Sequence, residues 1–126
     1  SEQKALQIVE PSLHRLRVVL TLLVESLEHA GLLSEEVKRR LMTLFDTTTG
    51  GSDGDGWALG VNPSEEDVAL ALIDAKHLES LIRVRFLEVA DDGVERMWPA
   101  TLKPMELVVL DTDPVRIEFV SAEVMA

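Results

Sequence analysis

The stretch PSLHRLRVVLTLLVESLEHA, residues 11–30, carries the longest periodic pattern in the chain. Its polar residues recur every three or four positions: His14, Arg17, Thr21, Glu25 and Glu28. A narrow polar stripe opposite a wide apolar face is typical of a helix that is largely buried. Pro11 suits a first helical position, and Gly31 suits a C-terminal stop. We therefore expect a helix over residues 11–30.

The apolar face of this expected helix is wider than one small domain needs. Val18, Leu22 and Val24 extend it well beyond a one-sided surface helix. Surplus apolar surface on a chain of this kind is commonly covered by another subunit. We therefore expect a homo-oligomer with these three residues as interface candidates. Trp57 and Trp98 are two further candidates, as exposed aromatic side chains that a partner could cover.

Two more helices are expected in the next fifty residues. Ser34 is a serine cap followed by two acids, and the short link before it predicts that the first two helices fold back as a hairpin. Asn62 and Pro63 mark the start of a third helix, because asparagine caps and proline at the first position favour helix initiation.

The pattern changes to strict alternation after residue 80, which predicts strands. Asp92-Gly93 is a strong hairpin turn. The expected strands cover residues 82–86, 94–98, 105–110 and 115–119. The predicted fold class is thus α+β, with an N-terminal helical hairpin, a third helix and then a four-stranded antiparallel meander sheet.

The length of 126 residues fits one domain. We expect a single domain over residues 1–126, with three parts: the helical hairpin in 1–45, a flexible Gly/Asp loop in 46–61, and the helix with the sheet in 62–126.

Negative charge is concentrated in the middle of the chain. Residues 46–81 hold eight acids and one base, a balance of −7 out of a net charge of −11. Such a balance opposes binding to phosphate backbones, which requires clustered Lys and Arg. We therefore expect no nucleic-acid binding, and we consider a protein partner with a basic surface instead.

The loop sequence DTTTGGSDGDG, residues 46–56, contains two weak chemical motifs. Gly50 to Gly54 matches a hydrolase G-x-S-x-G pattern, but a helix rather than a strand is expected before it. Asp53 and Asp55 are weak candidates for a calcium site, yet Trp57 stands where the next ligand would be. We expect no catalytic residue and no metal here, only a mobile loop.

Two acid and histidine pairs have helical spacing, Glu25 with His29 and Asp74 with His77. Such pairs occur in metal-carboxylate helix bundles. They are more commonly hydrogen-bonded pairs at helix surfaces or ends, which is the interpretation we favour.

The chain has no cysteine and no apolar stretch near the length of a membrane span. Its first ten residues lack the pattern of a signal peptide. These features favour a cytoplasmic protein without membrane association.

The function expected from the sequence is a non-catalytic, acidic interaction or assembly module without a cofactor, homo-oligomeric through the first helix. The first alternative is a small domain that binds a cation or cationic ligand through the acidic block of residues 46–79. A mimic of nucleic-acid charge is a weaker alternative, because the N-terminal third is neutral. An enzyme is a further alternative, for which no residue stands out.

Overall fold

Four strands form one mixed sheet, and two helices cover one of its faces. The structure is a computed structural model that describes residues 10–99 and 101–125. Residues 1–9, where we expect no signal peptide, lie outside that range. None of the described helices has the length and apolar character needed to cross a membrane. The elements in chain order are β1 (Ser12–Val24), a 3-10 turn (Leu27–His29), α1 (Ala30–Leu44), α2 (Glu65–Leu72), β2 (Ser80–Val89), β3 (Glu95–Met97), β4 (Glu106–Ser121) and the one-turn helix α3 (Ala122–Met125).

The central strand of the sheet comes from the N-terminal part of the chain. The strand order is β3-β2-β1-β4, with β1 antiparallel to β2 and parallel to β4. Within β1, Leu20 pairs with Val84 on one side and with Ile117 on the other. The two predicted parts of the chain, 1–45 and 62–126, therefore share one sheet.

The structure is α+β, as the sequence predicts, but the predicted arrangement is wrong. Residues 12–24 form a strand and not a helix, so there is no N-terminal helical hairpin, and the sheet is mixed and not an antiparallel meander. β1 has neighbouring strands on both sides and keeps apolar residues such as Val19 and Leu23 on its open face, so its sequence is a nearly continuous apolar run, which a helical pattern can imitate. The β-branched residues Val18, Val19 and Thr21 favour the strand.

Alternate residues of β1 build the core beneath the helices. Its fully buried side chains on the helix-covered face are Leu16, Val18, Leu20, Leu22 and Val24. Leu33, Val37 and Leu41 of α1 and Val68 and Leu72 of α2 pack against them. The opposite face carries no helix among the described elements, and its side chains include Arg15, Arg17 and Val19 of β1.

The other local predictions are mostly confirmed, with shifted boundaries. α1 begins at Ala30 and not at Ser34, so Gly31 lies within its first turn. The cap of α2 is Ser64 and not Asn62: its hydroxyl accepts a hydrogen bond from the Asp67 backbone N–H. β2 and β3 form the predicted hairpin around Gly93, whereas the two strands predicted over 105–119 are one strand, β4.

The loop after α1 is tied together by its own backbone. The Asp46 carboxylate accepts hydrogen bonds from the Thr48 hydroxyl and from the backbone N–H groups of Thr48 and Thr49. These three bonds, of which the one from the hydroxyl has the largest effect, lower the pKa of Asp46 to about 2. The Asp46 carbonyl also accepts from the N–H groups of Gly50 and Trp57. This network brings Trp57 back beneath the end of α1.

We expect Gly56→Ala to lower the free energy of unfolding by about 3 kcal/mol. Gly56 has a φ of 110°, and a Cβ there would lie 2.2 Å from the Thr47 carbonyl oxygen. Gly54→Ala is the matched control, since Gly54 also has a positive φ but has open space around it. That control should cost only about 1 kcal/mol. Urea denaturation compares the two, and equal losses would contradict the close packing at Gly56.

Candidate functional site

The outer side of β4 is the longest free strand edge in the part of the chain that the structure describes. β4 has 16 residues and pairs only with β1. Its first residue is covered, because the Gly60 backbone N–H donates to the Glu106 carbonyl at 2.7 Å. Among residues 10–99 and 101–125, no backbone hydrogen bond from another segment reaches the outer edge between residues 114 and 120. A free edge of this kind is a template for pairing with another strand.

A groove of about 430 Å³ runs beside this edge, between β4 and α1. Lys38, Met42 and Phe45 form its helix side, and Val109, Leu110 and Pro114 belong to its strand side. Met42 is 53% exposed although it is a large apolar residue. The edge and the groove together offer backbone hydrogen-bonding groups next to an apolar pocket.

A wide bulge divides β4 into two halves. Leu16 pairs with Leu110 and Val18 with Val115, so four residues of β4, Asp111 to Pro114, lie against the single residue Arg17 of β1. The Arg17 guanidinium donates to the Asp111 carboxylate at 2.8 Å and to the Asp113 carbonyl at 2.9 Å. The Arg17 side chain therefore holds the bulge through one backbone carbonyl and one carboxylate.

The bulge is a nearly buried ionic cluster. The side chains of Arg17 and Asp111 are 12% and 8% exposed. Although burial opposes the charge of Asp111, hydrogen bonds from the Asp113 backbone N–H and from Arg17 lower its pKa below the ordinary value. Glu95 of β3 accepts from Arg17 at 3.0 Å and also from Arg116 of β4. The cluster thus connects β3, β1 and β4 across the open face of the sheet.

A second ionic cluster lies at the other face, near the start of β1. The two ring nitrogens of His14 bind the carboxylates of Glu88 in β2 and Glu106 in β4. The ring edge of His14 also meets Trp98, with 6.0 Å between ring centroids. Burial lowers the affinity of His14 for a proton, but the hydrogen bonds to Glu106 and Glu88 outweigh burial and raise its pKa above 6.5.

We expect the raised pKa of His14 to make the protein less stable as the pH rises. Its contribution is fully present below the unfolded-state pKa of 6.5 and is lost as the pH passes the higher folded-state pKa. In urea denaturation from about pH 6 to about pH 9, the free energy of unfolding should fall more for the wild type than for His14→Gln. Parallel curves would contradict this coupling, because the other titrating groups are common to both proteins.

No protein-family model matches this chain, and no curated protein matches it either. The candidate site therefore depends on the geometry of the described residues alone. At the edge of β4, free backbone groups lie beside a groove that contains the exposed apolar side chain of Met42.

The two histidines of the predicted acid and histidine pairs meet in the structure. The rings of His29 and His77 stack with 3.9 Å between centroids, and both line a pocket of about 350 Å³ with Glu25 and three other glutamates. His77 has a φ of 77°, which is uncommon for a residue other than glycine. Burial, followed by the charges of His29 and Lys76, lowers the pKa of His77. Asp74 points elsewhere and forms an ion pair with Arg40.

The predicted interface residues lie within the subunit. Val18, Leu22 and Val24 are at most 1% exposed and belong to the core. Trp57 is also buried: its indole N–H donates to the Val61 carbonyl at 3.0 Å. Trp98 is partly buried against the core and donates to the Asn62 side chain at 2.9 Å. Four of the five are therefore buried within the subunit, and Trp98 is partly buried.

Asp53 and Asp55 are exposed at the tip of the loop, and no hydrogen bond or ion pair joins either side chain to another described residue. Within residues 10–99 and 101–125, no three His, Asp or Glu side chains are arranged to hold a metal ion. The weak calcium hypothesis for these two aspartates therefore gains no support from the geometry.

The sequence does not single out the β4 edge or the Arg17 cluster. The signal for the edge was the alternation of Val115, Arg116, Ile117, Glu118 and Phe119, which predicts a strand but not its place in the sheet. The signal for the cluster was an arginine within an apolar run, which resembles the polar stripe of a helix.

Proposed function

We propose that this chain is a non-catalytic interaction module that binds an extended protein segment as an added strand on the free edge of β4. The observation that carries this proposal is the unpaired outer edge of β4 beside the groove that Met42 lines. Strand addition of this type draws affinity from main-chain hydrogen bonds and specificity from pockets for alternate side chains. The homo-oligomer expected from the sequence remains part of this proposal, on a different surface from the one first expected.

The titratable groups of the two ionic clusters are already paired with one another, which supports a non-catalytic role. Both ring nitrogens of His14 are taken up by carboxylates, and Arg17 is surrounded by Asp111, Glu95 and Asp113. A catalytic acid or base needs an atom within hydrogen-bond reach of a substrate. These groups are instead saturated by one another and connect strands.

Selection of random peptides against the immobilised chain tests this function. Bound peptides should shift the NMR signals of the backbone amides in β4 and of the groove residues Lys38 and Met42. Met42→Asp should weaken their binding about tenfold or more, because it places a charge in the groove. Leu32→Asp is the matched control, since Leu32 is 68% exposed on the same helix but does not line the groove.

Either of two results would overturn the proposal. One is a set of peptides that bind with equal affinity to both variants and shift signals away from β4. The other is a selection against a chain that is monomeric in solution and that still returns no peptide with a dissociation constant below about 100 µM, because the edge is then free and does not act as an acceptor.

The alternative, binding of a cation or cationic ligand, has its support in the pocket around His29 and His77 and less in residues 46–79. Four glutamates line that pocket with no lysine or arginine among its lining residues, which are Glu25, Ser26, Glu28, His29, His77, Glu79 and Glu123. Calorimetry with calcium, magnesium and manganese tests this alternative. Dissociation constants weaker than about 1 mM would leave only generic attraction.

A further inference from the structure

The half of the β4 edge after the bulge has a self-complementary sequence. Residues 115–119 read Val-Arg-Ile-Glu-Phe. If two such strands run antiparallel with Ile117 opposite Ile117, then Arg116 faces Glu118 of the other strand, and Val115 faces Phe119. Both pairs occur twice, because the arrangement has a two-fold axis.

The two faces of the strand separate the charges from the apolar residues. Arg116 and Glu118 pair in register with Val19 and Thr21 of β1 and so lie on the open face of the sheet. Val115, Ile117 and Phe119 are partly buried and pack against the core on the helix-covered face. Antiparallel pairing would therefore match charge with charge on one face and extend the apolar core on the other.

We propose that two copies of this chain associate through antiparallel pairing of their β4 edges about a two-fold axis at Ile117, which joins the two sheets into one continuous sheet. This inference rests on the proposed function and names the partner as a second copy. Opposite charges directly across an antiparallel pair stabilise it, and like charges destabilise it. The edge matches its own sequence in this register.

Charge exchange across the axis tests the dimer. Light scattering with size exclusion should give a dimer for the wild type. Glu118→Arg and Arg116→Glu should each weaken the dimer about tenfold or more, because each variant places like charges opposite one another at two positions. An equal mixture of the two variants should restore a dimer, because each then meets its complement.

Glu118→Arg is the cleaner of the two changes. Arg116 also donates to Glu95 within the subunit, whereas no hydrogen bond or ion pair of Glu118 with another described residue is present. Circular dichroism of both variants should show the wild-type fold. If either variant unfolds, engineered cysteines test the register in its place.

Engineered cysteines report the register directly, because the natural sequence has none. Ile117→Cys should form a disulfide between the two copies under oxidation, since opposite residues of an antiparallel pair lie about 5 Å apart. Glu118→Cys should not link to itself, because its copies are diagonal neighbours more than about 7 Å apart. Denaturing gel electrophoresis without reductant distinguishes the two.

Three results would overturn the inference: a monomeric wild type, a dimer that Glu118→Arg leaves intact, or a disulfide that forms as readily at 118 as at 117. A monomer that still takes up selected peptides along β4 would refute the second copy as partner and leave the proposed function in place. A dimer that neither variant weakens, together with peptides that avoid β4, would refute both.

Discussion

Replacing Leu22 by aspartate should unfold the protein at room temperature. Leu22 is completely buried on the helix-covered face of β1. A carboxylate without a partner in that position costs more than about 5 kcal/mol. This cost is comparable to the whole stability of a small domain, about 5–15 kcal/mol. Circular dichroism and light scattering of the purified variant should show lost secondary structure or aggregation.

The matched control is Leu13→Asp, on the same strand. Leu13 is 60% exposed, so an aspartate there remains solvated and should change the free energy of unfolding by less than about 1 kcal/mol. The Leu22 variant also distinguishes the strand that the structure shows from the helix that the sequence predicts over residues 11–30. If this stretch were a helix with Leu22 at an interface, Leu22→Asp would give a folded monomer, and that result would contradict the central strand.

Replacing Arg17 by alanine should lower the free energy of unfolding by about 4 kcal/mol. The change removes the guanidinium that neutralises Asp111, a carboxylate that is only 8% exposed. Breaking a buried pair on one side leaves an uncompensated charge, which is the costly case. Because Arg17 also binds the Asp113 carbonyl, the bulge from Asp111 to Pro114 should lose its order.

Arg15→Ala is the control for this prediction. Arg15 lies on the same face of β1, but its partner Asp91 is fully exposed, so the loss should stay below about 1 kcal/mol. Urea denaturation measures both losses, and hydrogen exchange of the β4 amides measures the effect on the bulge. Equal small losses for both variants would show that the Arg17 cluster contributes no more than a surface ion pair.

The elements that depend on local signals were predictable from the sequence. α2 follows a serine and acid capping pattern, and the hairpin of β2 and β3 follows from Asp92-Gly93. β4 was predicted as two strands because Asp111 to Pro114 has the composition of a turn. Only the contact with Arg17, 94 residues earlier in the chain, makes that segment a bulge within one strand.

The candidate site was much less predictable than the elements. Whether β4 lies at an edge depends on the strand order, which the alternation of its residues does not encode. The sequence singled out His29 and His77, yet it paired each with a neighbouring acid. Their stacking depends on the antiparallel pairing of β1 with β2. This pairing places the residues that follow β1 beside the residues that precede β2.

The amino-acid sequence by itself determined that the protein is α+β and that it is acidic. It also determined roughly where most helices and strands begin and where the chain turns, because capping and turn signals depend on residues within a few positions of one another. The tertiary structure decided that residues 12–24 form a strand. An apolar run with scattered polar residues satisfies either period, and the choice depends on partners about 70 and 100 residues away, in β2 and β4. β1 pairs with β2 and with β4 along much of its length, which satisfies its backbone groups there, and the same arrangement places β4 at the edge with the backbone groups of its outer side free.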